Sequence, residues 1–169
     1  MNRNRKAFLD MIAWSEIGPR LLAISDNGYN VVVGSTPERP ILFDSYADHP
    51  RLLSRIVMRP NGGPERIVQS TAAGRYQILA RYFDAYKRQL GLTDFSPASQ
   101  DRIALQLIRE CRALGDVDAG RIETAIRKCR SRWASLPGAG YGQTENSMEK
   151  LLNAYLAAGG TFGMEEALA

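Results

Sequence analysis

Four clusters in this 169-residue chain carry residue types that could do chemistry. The first is Trp14-Ser15-Glu16, which closes the amphipathic run that starts at Lys6. A carboxyl group in a half-dry site beside an aromatic ring resists ionising, so its pKa rises. A carboxylic acid still protonated near neutral pH can hand a proton to a leaving oxygen, which makes Glu16 a candidate general acid. The second cluster, Ser70-Thr-Ala-Ala-Gly-Arg-Tyr-Gln77, is a polar loop entering a helix. The third, Pro137-Gly-Ala-Gly-Tyr-Gly-Gln143, has glycines that would let a ligand approach backbone amides closely. The fourth is Asp44-Ser-Tyr-Ala-Asp-His-Pro50. Tyrosine, glutamine and exposed amides suit a neutral, hydroxyl-rich ligand, because aromatic faces stack on sugar rings and amides bond to hydroxyl and acetamido groups. Each cluster also has a plainer reading. Glu16 taken alone fits a solvated helix end, Tyr76 fits a core position, and Gln77 fits a partner for a backbone group. His49 fits a structural hydrogen bond, and the glycine-rich loop fits an ordinary turn.

The elements that must position these residues follow from periodicity and breakers. Phe8, Met11, Ile12 and Ser15 fall at helical spacing, so one face of the first helix points at a core. Gly18-Pro19 should end that helix, and Asp26-Asn27-Gly28 is a turn in which the aspartate side chain would cap its own backbone. Tyr29 to Val33 then reads as a strand, with a second extended piece at Ile41 to Phe43, so a β-region is expected over about 18–46. Asp48-His49-Pro50 reads as a helix start followed by Arg51 to Met58, and Arg59 to Pro64 as a flexible loop. From Ala72 the chain reads as helical, with Tyr76, Leu79, Tyr82, Phe83, Tyr86 and Leu90 on one stripe and Gly91 as its cap. Ser96-Pro97 starts another helix. Gly115 and Gly120 bracket a turn, a helix covers about Ala119 to Arg132, and the last helix runs from near Thr144 to Gly159-Gly160. The sum is an α+β domain, mainly helical, expected to be single over residues 1–169.

Composition narrows the function classes. With 44% hydrophobic and 24% charged residues the chain can bury a core and is not disordered. No apolar stretch approaches the roughly 20 residues needed to span a bilayer. The N-terminus is basic like a signal sequence, but the apolar run behind it is broken by Asp10 and Glu16, which predicts a cytoplasmic protein. One histidine and no Cys-x-x-Cys pair leave no zinc ligand set. Cys111 and Cys129 are expected as reduced, half-buried thiols. The net charge of +4 is spread along helices with no basic block, so an ordinary solvated surface is favoured over a nucleic-acid patch.

The ordered series of motifs is more specific than any single cluster. Lys6-Ala-Phe-Leu-Asp-Met-Ile-Ala-Trp-Ser-Glu16 is followed by Asn27-Gly-Tyr-Asn-Val-Val-Val-Gly34, Asp48-His-Pro-Arg51 and Ala73-Gly-Arg-Tyr-Gln77. Asp84-Ala-Tyr-Lys-Arg-Gln-Leu-Gly-Leu92, Asp94-Phe-Ser-Pro97 and Trp133-Ala-Ser-Leu-Pro-Gly-Ala-Gly-Tyr-Gly-Gln143 complete it. In this order, from about Arg3 to Gly160, the chain closely resembles the lambda-type phage endolysins, or lambda lysozyme family, of soluble lytic transglycosylases. The resemblance implies a lysozyme-like α+β fold with a saccharide cleft between a helical lobe and a β-containing one. It places the family's catalytic glutamate on Glu16. It places saccharide-lining residues on Tyr76 and Gln77 and on the Gly140 to Gln143 loop with Tyr141, Gly142 and Gln143, and Tyr29 and Ser70 are expected to bind saccharide beside them. The chain departs from the family pattern at Ile17 to Asn27, at Ser35 to Ile41 and at Met58 to Gln69. Tyr82-Phe83 stands where the pattern has two tryptophans, and Ala72 where it has a glycine.

The family resemblance also implies a reaction and a setting. The β-1,4 bond after N-acetylmuramic acid in peptidoglycan would be cleaved without cofactor or metal, giving 1,6-anhydromuramic acid. The protein would act as a monomer on glycan strands, without nucleic acid or membrane insertion, reaching the wall from the host cytoplasm through a holin lesion. Two other readings stay open: a hydrolytic muramidase that pairs Glu16 with Asp26 or Asp44, and an inactive wall- or nucleic-acid-binding module.

Overall fold

A computed structural model describes residues 2–58, 63–142 and 144–163. Residues 59–62 of the expected Arg59 to Pro64 loop, and Gln143, lie outside the described residues. The chain divides into two compact units, one of Met1–Ser15 with Leu105–Ala169, the other of Glu16–Ala104. Among the described residues no helix is long and apolar enough to cross a membrane.

Helix α1 (Arg3–Ile17) buries Phe8, Met11 and Ile12 completely, as their spacing predicts. It ends at Gly18, whose φ of 83° lies in the left-handed region that favours glycine. Pro19 does more than break the helix: it sits in the first turn of a second short helix, α2 (Pro19–Ile24), where its missing N–H is no loss.

In the Glu16–Ala104 unit the turn at residues 25–30 forms as expected, with Asn27 and Gly28 at positive φ. The strand expected over Tyr29 to Val33 does not. The turn consumes its first residues, because Tyr29 N–H bonds to Asp26 O (2.8 Å) and Val31 N–H to Gly28 O (3.2 Å). Only single bridges remain, Val31 with Leu42 and Val32 with Ala73. Among the described residues, the two strands lie beyond the expected 18–46 region. The helix expected over Arg51 to Met58 is instead β1 (Ser54–Met58), paired antiparallel with β2 (Arg66–Ser70) from Ser54 opposite Ser70 to Met58 opposite Arg66. A short apolar run does not choose between helix and strand by itself; here β-branched Ile56 and Val57 find β-branched Val68 and Ile67 across the ladder.

Helix α3 (Ala80–Leu90) also starts later than Ala72. Residues 72–78 form a tight loop closed by paired Ala73–Ile78 backbone bonds of 3.0 and 2.9 Å. Gly74 (φ 78°) and Gln77 (φ 49°) are left-handed, which no α-helix accommodates. Gly91 caps α3 at φ 61°, as read from sequence. Helix α4 (Pro97–Glu110) begins at the expected Ser96-Pro97, with Ser96 Oγ accepting from Ser99 N–H (3.3 Å). Two groups of buried side chains in this unit bear on the site. Ile17, Leu21 and Val31 cluster with Leu22 and Leu42. Phe43, His49, Phe83 and Phe95 pack as rings 4.7–6.1 Å apart.

In the other unit, the turn expected between Gly115 and Gly120 is a short helix, α5 (Leu114–Asp118), and the next helix, α6 (Ile122–Cys129), is shorter than expected. Asp116 ties the two together. It is almost buried, and Lys128 (2.6 Å) and Arg121 (2.8 Å) neutralise it, so it staples α5 to α6. These cations hold its carboxyl below the usual range, Lys128 foremost. Arg5 binds Asp118 through two bonds of 2.6 Å, which joins the start of α1 to α5. Helix α7 (Met148–Ala157) is capped by Ser147 rather than starting at Thr144.

Candidate functional site

Glu16, Tyr29, Ser70, Tyr76 and Gln77 belong to the Glu16–Ala104 unit; Tyr141 and Gly142 belong to the other. Glu16 is half-buried in the last turn of α1, directly before buried Ile17. Its backbone is fixed by what surrounds Ile17. The Gly28 turn lies so close that an added Cβ would meet Ile17 Cγ1 at 3.3 Å, Leu22 Cδ2 at 2.8 Å and Arg75 Cα at 3.6 Å. That turn therefore sits against both the end of α1 and the 72–78 loop. Ser15, the residue before Glu16, is held inside its own unit: its Oγ bonds Ser135 Oγ (2.7 Å) and accepts from Asn146 Nδ2 (3.0 Å).

The 72–78 loop is built around Gln100, which is fully buried on α4. Its Oε1 accepts from the Arg75 backbone N–H (2.9 Å), while its Nε2 donates to Tyr29 O (3.0 Å) and Phe95 O (2.9 Å). Next to it, the Asp101 carboxylate accepts from both Tyr29 Oη (2.9 Å) and Tyr76 Oη (2.6 Å). The two phenol rings meet edge to face at 6.5 Å, and the Arg75 guanidinium lies over the Tyr29 ring and donates to Asn27 O. Burial, reinforced by the Asp101 charge, pushes the Tyr29 hydroxyl up to about 12 and that of Tyr76 well above its usual value. Both are therefore hydrogen-bond donors at any working pH, not acids.

This geometry gives Tyr76 its plainer reading, a core position. Its ring is 2% exposed and its hydroxyl is engaged, so it is a core residue and offers no face for stacking. Tyr29 keeps partial exposure. Gln77 turns inward, donating to Gly74 O (2.9 Å). Ser70 Oγ accepts from Ala72 N–H (3.2 Å) and shapes the entry to the loop. His49 is structural, as its plainer reading held. Its Nε2–H donates to Ile78 O (2.8 Å) while Nδ1 accepts from Arg51 N–H (3.0 Å), which requires the neutral ring. Burial lowers its pKa accordingly. Asp26 sits in its turn, but the capping is done by others: Asn30 Oδ1 accepts from Asp26 N–H (3.0 Å) and Ser25 Oγ from Gly28 N–H (3.0 Å). The Asp26 carboxylate accepts instead from Tyr46 Oη (2.6 Å).

In the second unit, the glycine-rich loop is organised by Glu145, whose two oxygens accept from Gly138 N–H and Gly140 N–H, each at 2.8 Å. Those bonds lower its pKa. Gly138, Gly140 and Gly142 all have positive φ. Tyr141 anchors its hydroxyl on Ser131 O (2.9 Å) and leaves its ring 48% exposed. Among the described candidate tyrosines it alone presents a broad open face.

Gln100, Asp101, Ser135, Asn146 and Glu145 were not singled out from the sequence. Gln100 left a trace there: it lies three and four positions before Ile103 and Ala104, a polar residue inside an apolar stripe. Glu145 left none, because two backbone amides are not visible in residue types.

A mainly helical α+β body with a candidate carboxylate at the end of its first helix and two glycine-shaped loops belongs to the lysozyme-like class. The sequence model of the endolysin family, described as "Endolysin", matches residues 6–162. The endolysin of Escherichia phage lambda is 49% identical over 162 residues, covering 95% of this chain and 94% of that protein. The endolysin of Escherichia phage P2 is 50% identical over 159 residues, 94% of each. The structure of bacteriophage lambda lysozyme complexed with a chitohexasaccharide superimposes with a TM-score of 0.81 at 48% identity, over 96% of this chain and 97% of that one. The chain belongs to the endolysin family, and its fold is the lysozyme-like α+β fold.

Proposed function

We propose that this endolysin cleaves the β-1,4 bond between N-acetylmuramic acid and N-acetylglucosamine in peptidoglycan as a lytic transglycosylase. The observation that carries the saccharide assignment is the close similarity to a lysozyme seen with a chitohexasaccharide. Glu16 is the proton donor. Its place at the end of α1, half-buried yet reachable by a ligand, supports that role. Glu16 protonates the glycosidic oxygen as the C1–O bond breaks through an oxocarbenium-like state. The resulting carboxylate takes the proton from the muramic acid C6 hydroxyl, whose oxygen attacks C1 and closes a 1,6-anhydro ring. Glu16 is thereby reprotonated. The attacking group is tethered, so no water has to be captured and ordered. The engagement of Asp26 by Tyr46 supports a mechanism that does not recruit this carboxylate as nucleophile or base.

Tyr29 and Gln77 contact the glycan in this reading, with Ser70 and Tyr76 shaping their own loop, and Tyr141, Gly142 and Gln143 are assigned to glycan binding as well. The chain works as one catalytic domain without cofactor or metal, and a separate membrane lesion delivers it to the wall. Mass spectrometry of digested peptidoglycan tests the chemistry. Muropeptides ending in 1,6-anhydromuramic acid, each one water lighter than hydrolytic products, are expected; reducing ends would instead establish a hydrolytic muramidase, the reading that pairs Glu16 with Asp26 or Asp44. Glu16→Gln is expected to abolish lysis while circular dichroism stays native, and full activity of that variant would overturn the mechanism.

A further inference from the structure

Cys111 and Cys129 have no part in the proposed reaction, yet the fold brings them together. Cys111 is the first residue past the end of α4, half-buried, and Cys129 is the last residue of α6, fully buried. Two polar ties bracket the pair. Arg132 Nη2 reaches Glu110 Oε2 (3.3 Å), and Lys128 Nζ donates to Arg112 O (3.3 Å). Glu110 and Arg112 flank Cys111, while Lys128 and Arg132 lie on either side of Cys129. These ties hold the two thiols near enough to influence each other's ionisation, and Arg132 acts on Cys111 as well. All of these residues lie in the Leu105–Ala169 part of one unit.

We propose that Cys111 and Cys129 form a dithiol–disulfide couple, closed by exchange with a small-molecule or protein disulfide, with Cys111 as nucleophile and Cys129 as resolving thiol. The roles follow from the environments. Cys111 is partly accessible, and the Cys129 thiol and Arg132 stabilise its thiolate, which lowers its pKa. Cys129 is buried, and the neighbouring thiolate together with that burial keeps it protonated. The Cys111 thiolate attacks one sulfur of the external disulfide, forming a mixed disulfide and releasing one thiolate. Cys129 then loses its proton, and its sulfur attacks the Cys111 sulfur of the mixed disulfide. That forms the Cys111–Cys129 bond and releases the second thiol. Two electrons pass from the protein to the external disulfide, and the two thiol protons end on its two halves. The state of the pair would then follow the redox poise of its surroundings, open in a reducing compartment and closed in an oxidising one. Closure would link the ends of α4 and α6 and restrict the unfolded chain between them.

The test incubates the full chain with defined mixtures of oxidised and reduced glutathione at neutral pH. Remaining thiols are trapped by alkylation, and peptides are mapped without reduction. The expected product is a monomer two hydrogens lighter, with a cross-linked Cys111–Cys129 peptide and a thermal midpoint raised by several degrees. Cys129→Ser should accumulate glutathione on Cys111, and Cys111→Ser should leave Cys129 unmodified, with native circular dichroism checked for each. Should either variant fail to fold, the wild-type peptide map decides alone. A stable glutathione adduct on wild-type Cys111, two thiols that stay reduced in excess oxidised glutathione, or bonding only between chains would each overturn the proposal.

Discussion

Gln100 Oε1 accepts the Arg75 backbone N–H at 2.9 Å, and a Cβ placed on Gly74 would fall 2.2 Å from that same oxygen. The α4 glutamine thus depends on a glycine in the facing loop, and the loop depends on the glutamine. Gly74→Ala must move Gln100 and also force alanine to φ 78°. It is expected to destabilise by about 2–4 kcal/mol, the sum of left-handed strain and a broken buried hydrogen-bond set. Urea titration followed by circular dichroism measures this; a loss under about 0.5 kcal/mol would show that the loop repacks freely.

Tyr76 and Tyr141 should separate cleanly. Tyr76→Phe removes the 2.6 Å bond to Asp101 without emptying the core, so stability should fall by about 1 kcal/mol while KM on peptidoglycan fragments barely changes. Tyr141→Ala removes an exposed ring, so KM should rise several-fold with the thermal midpoint nearly unchanged. Steady-state kinetics beside thermal melts reads both, and a reversed pattern would place the saccharide against Tyr76.

Glu145 predicts a loop-specific effect. Glu145→Ala frees the Gly138 and Gly140 amides, and turnover should weaken through KM because the loop no longer presents a fixed surface. Glu145→Gln keeps one acceptor oxygen and should recover part of the loss. Equal kinetics for all three proteins would show that the loop does not touch substrate.

His49 is the chain's only histidine, so its ring titration is read directly by NMR. Burial lowers its folded pKa below the ordinary 6.5. The unfolded chain therefore binds a proton that the folded one refuses. Stability is full above about pH 6.5 and declines as pH falls from there toward the folded pKa. Denaturation midpoints across that window should show the decline, and a ring midpoint at or above 6.5 would contradict it.

The parts legible in the sequence were those whose physics is local. Gly18-Pro19 ends α1 because one residue needs positive φ and the next lacks an N–H. Asp26-Asn27-Gly28 turns because Asn27 and Gly28 tolerate left-handed backbone. Ser96-Pro97 caps α4, and Gly91 caps α3. The ordered motifs also carried the family and its fold class, since a long series in one order is far more specific than any member of it.

The tertiary structure decided what depends on partners distant in sequence. Arg51 to Met58 has apolar residues that either period can use, and only pairing with Arg66–Ser70 makes its second half a strand. Tyr76 fits a helical stripe on paper, yet the Gly74 and Gln77 dihedrals and Asp101 twenty-five residues away draw it into a buried polar network. Tyr141 stays open because its hydroxyl reaches Ser131 while Glu145 holds the loop beneath it. Residue types and neighbours determined where the backbone starts, turns and stops. Which side chains face a ligand and which face the core was decided by long-range hydrogen bonds, because a buried polar group must find its partner wherever the fold places one.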